Sequence, residues 1–257
     1  MSTRVAIVVL VAIVLAVLVF LSARPRKRQA AGVDSAPLPG INNPALLTPA
    51  MPFGYKTAWF AIHSEDTHAV ASALDLKNVR SAGWNYGIWH AIESDDYAIF
   101  VTPPISGWTL AVGVPVLYEA DDHATERMVE LSRQFGEVQL FASMRVSSAY
   151  VWARARDGKL VRRFYDADGQ HQESGEPTDE EEAMGLNFFN ASSPEAKDPK
   201  YWERKDLVYP DEEHVLQMAG RWSIDPAKLD QMGLAPAMGL IGEASATYPP
   251  KPEPIRR

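Results

Sequence analysis

Apolar residues fall into three regimes along this chain. From Val5 to Ala23 they run for nineteen positions without a charge, and from Gln29 to Pro52 they lose any period. From Tyr55 onward, short β-type stretches and stretches of helical spacing alternate, separated by glycine, proline and aspartate. "YKTAWFAI" (Tyr55 to Ile62) is aromatic and β-branched enough for a strand. Ser64 is placed to cap a helix whose Val70, Ala73 and Leu74 share one face. "YAIFVTP" and "WTLAVGV", divided by Pro103-Pro104 and Ser106-Gly107, predict a strand pair. A helix from about Asp121 to Phe135 carries Ala124, Met128, Leu131 and Phe135 as its apolar stripe, with Gly136 to end it.

"EVQLFASM", "AYVWARA" and "KLVRRFYD" follow, with Asp157-Gly158 between the last two and Asp168-Gly169 after them. Aspartate-glycine between such runs predicts a hairpin, because both turn residues must accept a positive φ. The order is β-α-β-β-α-β-β-β, with a further helical segment near Trp89. It predicts an α+β fold, a mainly antiparallel sheet with helices packed on one face. A ferredoxin-like duplication would fit the order, but no residue-level repeat supports it. Farther on, Thr178 and Glu181 have capping-box spacing, so the acidic run from Glu180 to Glu182 reads as a helix start. Asp211 can cap a helix carrying Val215, Leu216, Met218, Ala219 and Trp222, and Asp225-Pro226 opens a shorter one.

The uncharged N-terminal run changes the picture most. Nineteen helical residues span about 28 Å, close to the hydrocarbon thickness of a bilayer. Secretory apolar cores are shorter, about 7 to 15 residues. Cleavage after Ala23 would leave a chain starting Arg24-Pro25, so length favours a retained single-pass transmembrane helix over residues 5–23. Arg4 precedes it, while Arg24, Arg26, Lys27 and Arg28 follow, and this excess of cations favours a cytoplasmic C-terminal domain, with an exported domain as the alternative. The expected organisation is an anchor with its basic flank (1–28), a proline-rich tether (29–52), an α+β domain (53–175), a mainly helical extension (176–248) and an extended tail (249–257).

Charge, once divided, narrows the partners. Five of the 25 Lys and Arg residues lie at the expected membrane boundary, leaving 20 against 33 Asp and Glu, a net of −13. Such a domain is repelled by a phosphate backbone, and no nucleic acid partner is expected. "VLQMAGRWSIDPAKLDQMG" has helix-turn-helix spacing, but Asp225 and Asp230 with one lysine make a poor major-groove helix. The chain has no cysteine, which excludes a thiol nucleophile, a disulfide framework and a lipidated cysteine and fits either compartment. His63 and His68 are five apart rather than four, and neither HExxH, GxSxG nor a phosphate-cradling glycine loop occurs. No metal or cofactor is expected. Asn190-Ala191-Ser192 matches a glycosylation acceptor, which matters only in a eukaryotic lumen.

Two clusters remain as candidate chemistry. A regular two-residue turn at Asp157-Gly158 sets Arg156 opposite Lys159, Arg154 opposite Val161, Trp152 opposite Arg163 and Tyr150 opposite Tyr165. That makes Tyr150, Trp152, Arg154, Arg156, Arg163 and Tyr165 an outward face of aromatics and cations, suited to a protein or a small anionic partner. Val151, Ala155, Leu160 and Phe164 then form the core side, interrupted by Arg162. The second cluster is Trp84, Tyr86, Trp89, His90 and Glu93, which could line a pocket containing an acid or base. The expected function is therefore a single-pass membrane-anchored binding or accessory protein with an acidic α+β domain. The alternative is an enzyme using the Trp84 to Asp96 region.

Overall fold

A computed structural model of the chain describes residues 38–94, 96–118, 122–167 and 170–249. The expected membrane helix over 5–23, its basic flank and the tail lie outside the described residues. Among the described residues, no helix is long and apolar enough to cross a membrane.

Among the described residues, nine strands form one sheet. They are β1 (Thr57–Ile62), β2 (Lys77–Ala82), β3 (Ala98–Val101), β4 (Thr109–Val112), β5 (Glu137–Met144), β6 (Ala149–Arg156), β7 (Lys159–Ala167), β8 (Gln170–Ser174) and β9 (Gly239–Glu243). Their order is β2-β9-β3-β4-β1-β5-β6-β7-β8, with every neighbouring pair antiparallel. The helices are α1 (Thr67–Ala73), α2 (Trp84–Ile88) running into a π turn (Trp89–Glu93), α3 (Val114–Tyr118), α4 (Asp122–Phe135), α5 (Asp179–Glu182) and α6 (Glu212–Trp222).

The α+β class and the antiparallel sheet are as expected, but the helices cover both faces. Val70 and Leu74 of α1, Val116 of α3 and Ala124, Met128 and Leu131 of α4 pack on one side with Phe60, Ile99 and Leu140. On the other side, Trp84 and Ile88 of α2 and Val215, Leu216 and Trp222 of α6 pack with Trp59, Phe100 and Phe141. The physical reason is visible in the strands themselves. "TAWFAI", "AIFV" and "TLAV" are apolar at every position or nearly so, and each is buried along its whole length, the pattern of strands covered on both faces.

Local signals account for most element ends. α4 stops where Gly136 adopts a φ of +77°. α1 is capped by Asp66, whose Oδ1 accepts from Ala69 N at 2.9 Å, while Ser64 Oγ accepts from Asp66 N. Two strands escape the sequence pattern. β2 is exposed over five of its six residues, four of them polar, as befits a sheet edge. β9 contains Gly239 and Gly242 because it is squeezed between neighbours: a Cβ at Gly239 would lie 2.4 Å from Val101 O. Within the stretch expected to be mainly helical (176–248), β9 lies inside the sheet between β2 and β3.

Part of the expected tether is also docked. Gly83 N donates to Pro44 O, Asn85 N to Thr48 Oγ1 and Asn85 Nδ2 to Pro39 O, tying residues 39–48 to α2 beside the β2 edge.

The hairpin register needs correction. Asp157 and Gly158 do form the turn, both at positive φ. Ala155 pairs with Leu160, but Arg154 then pairs with Arg162, so Val161 is an extra, bulged residue. Beyond it the side-chain parity of β7 is inverted. Arg162 and Phe164 join Trp152 on one face, while Arg163 and Tyr165 lie with Ala153 and Val151 on the other. Because both faces are covered, the expected outward ladder is not outward: Tyr150, Trp152, Arg154, Arg163 and Tyr165 are 1–8% exposed, and only Arg156 of the six is exposed.

Candidate functional site

The inverted parity builds a polar cluster at the β8 edge. Arg162, Phe164 and Asp166 alternate along one face of β7, and the register Phe164↔Glu173 and Asp166↔His171 sets the β8 residues beside them. Trp152 stacks on Phe164 with ring centroids 3.8 Å apart and planes 2° from parallel. Over this pair comes the first turn of α5, closed by the expected capping box: Thr178 Oγ1 accepts from Glu181 N, and Thr178 N donates to Glu181 Oε2 at 2.8 Å.

Glu181 does more than cap. Its carboxylate, 9% exposed, also accepts from Trp152 Nε1 at 2.9 Å and from Arg162 Nε at 2.9 and 3.0 Å. The Arg162 side chain is 3% exposed, and its remaining donors reach Gly175 O at 3.1 Å and Glu173 Oε2 at 2.6 Å. Glu173 Oε1 lies 2.8 Å from His171 Nε2, and His171 Nδ1 lies 2.9 Å from Asp166 Oδ2.

The titration behaviour follows from this chain of pairs. Burial works against a charged His171, but the hydrogen bonds to Asp166 and Glu173 outweigh it and raise its pKa to about 9. The His171 hydrogen bond, against an opposing effect of burial and with help from Arg162, lowers Glu173 to about 2. Both groups are ionised at neutral pH.

Beside the cluster is a cavity of about 690 Å³. Trp152 and Phe164 form its floor, Met184, Leu186, Phe188 and Leu207 supply apolar wall, and Glu173, Glu182, Asn187, Arg204 and Asp206 supply polar groups. Arg204 is paired with Asp206. The volume suits a small organic ligand.

The expected sites are distributed differently. Arg154 lies under α6, its guanidinium 4.5 Å from the Trp222 ring and its Nε 3.0 Å from Glu137 Oε1, not aligned for a hydrogen bond. Burial lowers the Arg154 pKa, with Glu137 opposing. Arg156 pairs with the other oxygen of Glu137 at 2.7 Å, and Arg163 stacks over Tyr165 at 5.0 Å on the opposite face. Of the six, Trp152 alone borders the cavity.

In the second cluster Trp84 is core, packed edge-on against Phe100. Tyr86 stacks on His90 at 4.0 Å and accepts from Arg80 Nη2 at 2.8 Å. His90 Nδ1 meets Asp96, and its Nε2 lies 3.0 Å from Ile41 O. Trp89 is partly exposed, and Glu93 ends the π turn. Of the five, Tyr86 and His90 are in contact, and both imidazole nitrogens of His90 face oxygen atoms of the protein, one of them on the docked 39–48 segment.

Sequence reasoning missed Arg162, His171, Glu173 and Glu181. Two signals pointed there: Arg162 interrupted an apolar strand face, and the Asp168-Gly169 pair in the sequence, read as a turn signal, brings Asp166 and His171 into register. Among the described residues no group of three or more His, Asp or Glu side chains has the arrangement of a metal site. No family model, curated protein or solved structure matches this chain.

Proposed function

We propose that this chain is a single-pass membrane-anchored binding protein whose acidic α+β domain takes a small ligand in the cavity at the β8 edge. The observation that carries this reading is the cavity itself, set at the opposite edge of the sheet from the docked segment 39–48. Residues 39–48 are tied to α2 at the β2 end of the sheet, and the cavity lies at the β8 end. Eight strand spacings of about 4.8 Å separate the two edges, roughly 38 Å. Fourteen residues lie between Ala23 and Leu38, a reach of at most about 50 Å. A leash of that length keeps the domain at the membrane without forcing either edge against it; the chain enters the domain at the β2 edge, across the sheet from the cavity, on the cytoplasmic side by the cation count.

Fractionation and a C-terminal tag test the anchor. The expected result is full-length chain in membranes with the tag protected from protease in intact cells. A shortened soluble chain overturns the anchor, and a digested tag overturns the side. A small-molecule screen by melting temperature of the full chain in neutral detergent tests the cavity. Hits whose shift is lost in Phe188→Ala are expected, and a screen whose hits all survive that change sinks the cavity as the binding site.

A further inference from the structure

The cations and carboxylates bordering the cavity are unequally committed. From the wall of the cavity we infer that it takes an organic cation with an apolar body, an amine or guanidine carrying an aromatic or aliphatic group; this rests on the ligand-binding reading above. Every cation bordering the cavity is already engaged by a carboxylate of the protein. Arg162 donates to Glu181 and Glu173, Arg204 donates to Asp206, and His171 has both ring nitrogens at carboxylates. An incoming anion meets no uncommitted cation: it would have to share a guanidinium with a carboxylate that stays beside it, bringing like charges together.

An incoming cation meets the opposite situation. The Glu173 carboxylate is 40% exposed, and each of its oxygens has a second lone pair beyond the one used internally. Glu182 is exposed at the rim, and the Asp206 carboxylate is 61% exposed beside it. Four carboxylates border the cavity against three cations, and Asp166 stands directly behind His171, so the local field is negative. Phe188, Met184 and Leu186 are partly accessible and offer an apolar wall, with an aromatic face for a cation. The ion pairs hold Glu173 and Asp206 in place before any ligand arrives, which reduces the ordering cost of binding.

Three probes with one apolar body and different charge test this: phenethylamine, phenethyl alcohol and phenylacetate. Each is titrated calorimetrically into the full chain in neutral detergent at pH 7, with a detergent blank. The expected result is saturable binding of the amine, at least tenfold weaker binding of the alcohol, and none of phenylacetate. Glu182→Gln, at the exposed rim and outside the internal ion pairs, should weaken the amine about threefold to tenfold, and Glu173→Gln should weaken it further. A melting curve checks that Glu173→Gln remains folded. Equal or tighter binding of phenylacetate or of the alcohol overturns the charge preference and leaves the ligand-binding reading standing. If none of the three binds while other compounds from the melting screen do, the preference again fails alone; if nothing binds at all, both readings fail.

Discussion

Replacing Glu181 with leucine tests the centre of the polar cluster. Glu181 receives hydrogen bonds from Trp152 Nε1, Arg162 Nε and Thr178 N, and its side chain is 9% exposed. Removing one partner of a buried ion pair costs about 3–5 kcal/mol, because the other charge is left behind. Arg162 keeps Glu173 and Gly175 O, which puts its share at the lower end. Leaving the indole N–H unsatisfied adds about 1–3 kcal/mol, and losing half of the capping box about 1 kcal/mol. Because such contributions overlap within one network, we expect a total of about 4–5 kcal/mol. Adding Arg162→Met removes the stranded guanidinium and should recover about 2 kcal/mol, less than the whole because Trp152 Nε1 stays unpaired and Glu173 keeps only His171. Urea unfolding of the full chain in detergent, read by pulse proteolysis, measures all three forms. A loss below about 1 kcal/mol for Glu181→Leu, or a double variant no more stable than the single, would refute the buried network.

Three further outcomes follow from the same geometry. The His171 contribution should be fully present below its ordinary value of 6.5 and lost as pH rises through about 9, whereas that of Glu173 should be present above 4.5 and lost as pH falls toward about 2. Stability against pH in wild type and His171→Gln checks this, and an unchanged alkaline limb in the variant counts against it. Deleting Val161 should regularise β6–β7 pairing without moving Arg162 to Asp166 to the other face, lowering Tm by only a few degrees; unfolding would mean the bulge is not where the register puts it. Gly87→Ala should be among the most damaging single changes, at about 3 kcal/mol or more, because its Cβ would lie 2.1 Å from Phe100 Cδ2; a melting curve within 2 °C of wild type would contradict the packing there.

How much of this was legible in the sequence depends on whether local or nonlocal physics sets each feature. "EVQLFASM" is β5 residue for residue, and α4, the Thr178 capping box and the Asp211 cap all lie where the sequence puts them. These depend on periodicity and on side chains meeting backbone a few residues away. The polar edge strand β2 and the glycine-bearing β9 carry no such pattern; β9 is a strand because two distant neighbours hold it. The second apolar layer was written in the unbroken runs of β1, β3 and β4, a signal that alternation-based reading passes over. The candidate platform failed for a smaller reason. One bulged residue shifts parity, and nothing in "KLVRRFYD" distinguishes a regular turn from one followed by a bulge.

That single residue decides which arginine enters the cluster. With a regular hairpin, Arg163 would lie beside Trp152 and Arg162 would face the apolar layer under α4. The bulge at Val161 exchanges them: Arg162 lies between Glu181 and Glu173, and Arg163 lies over Tyr165 on the α4 side. The consequence extends along β7, because Phe164 and Asp166 take their faces from the same shift. Trp152 then has an aromatic partner, His171 has a carboxylate on each nitrogen, and the capping glutamate of α5 has a guanidinium to receive. Buried ion pairs of this kind add little net stability, since desolvation offsets much of the attraction. Their effect here is positional. They fix the position of α5 and of the edge strand, and so fix the carboxylates that those two elements bring to the cavity.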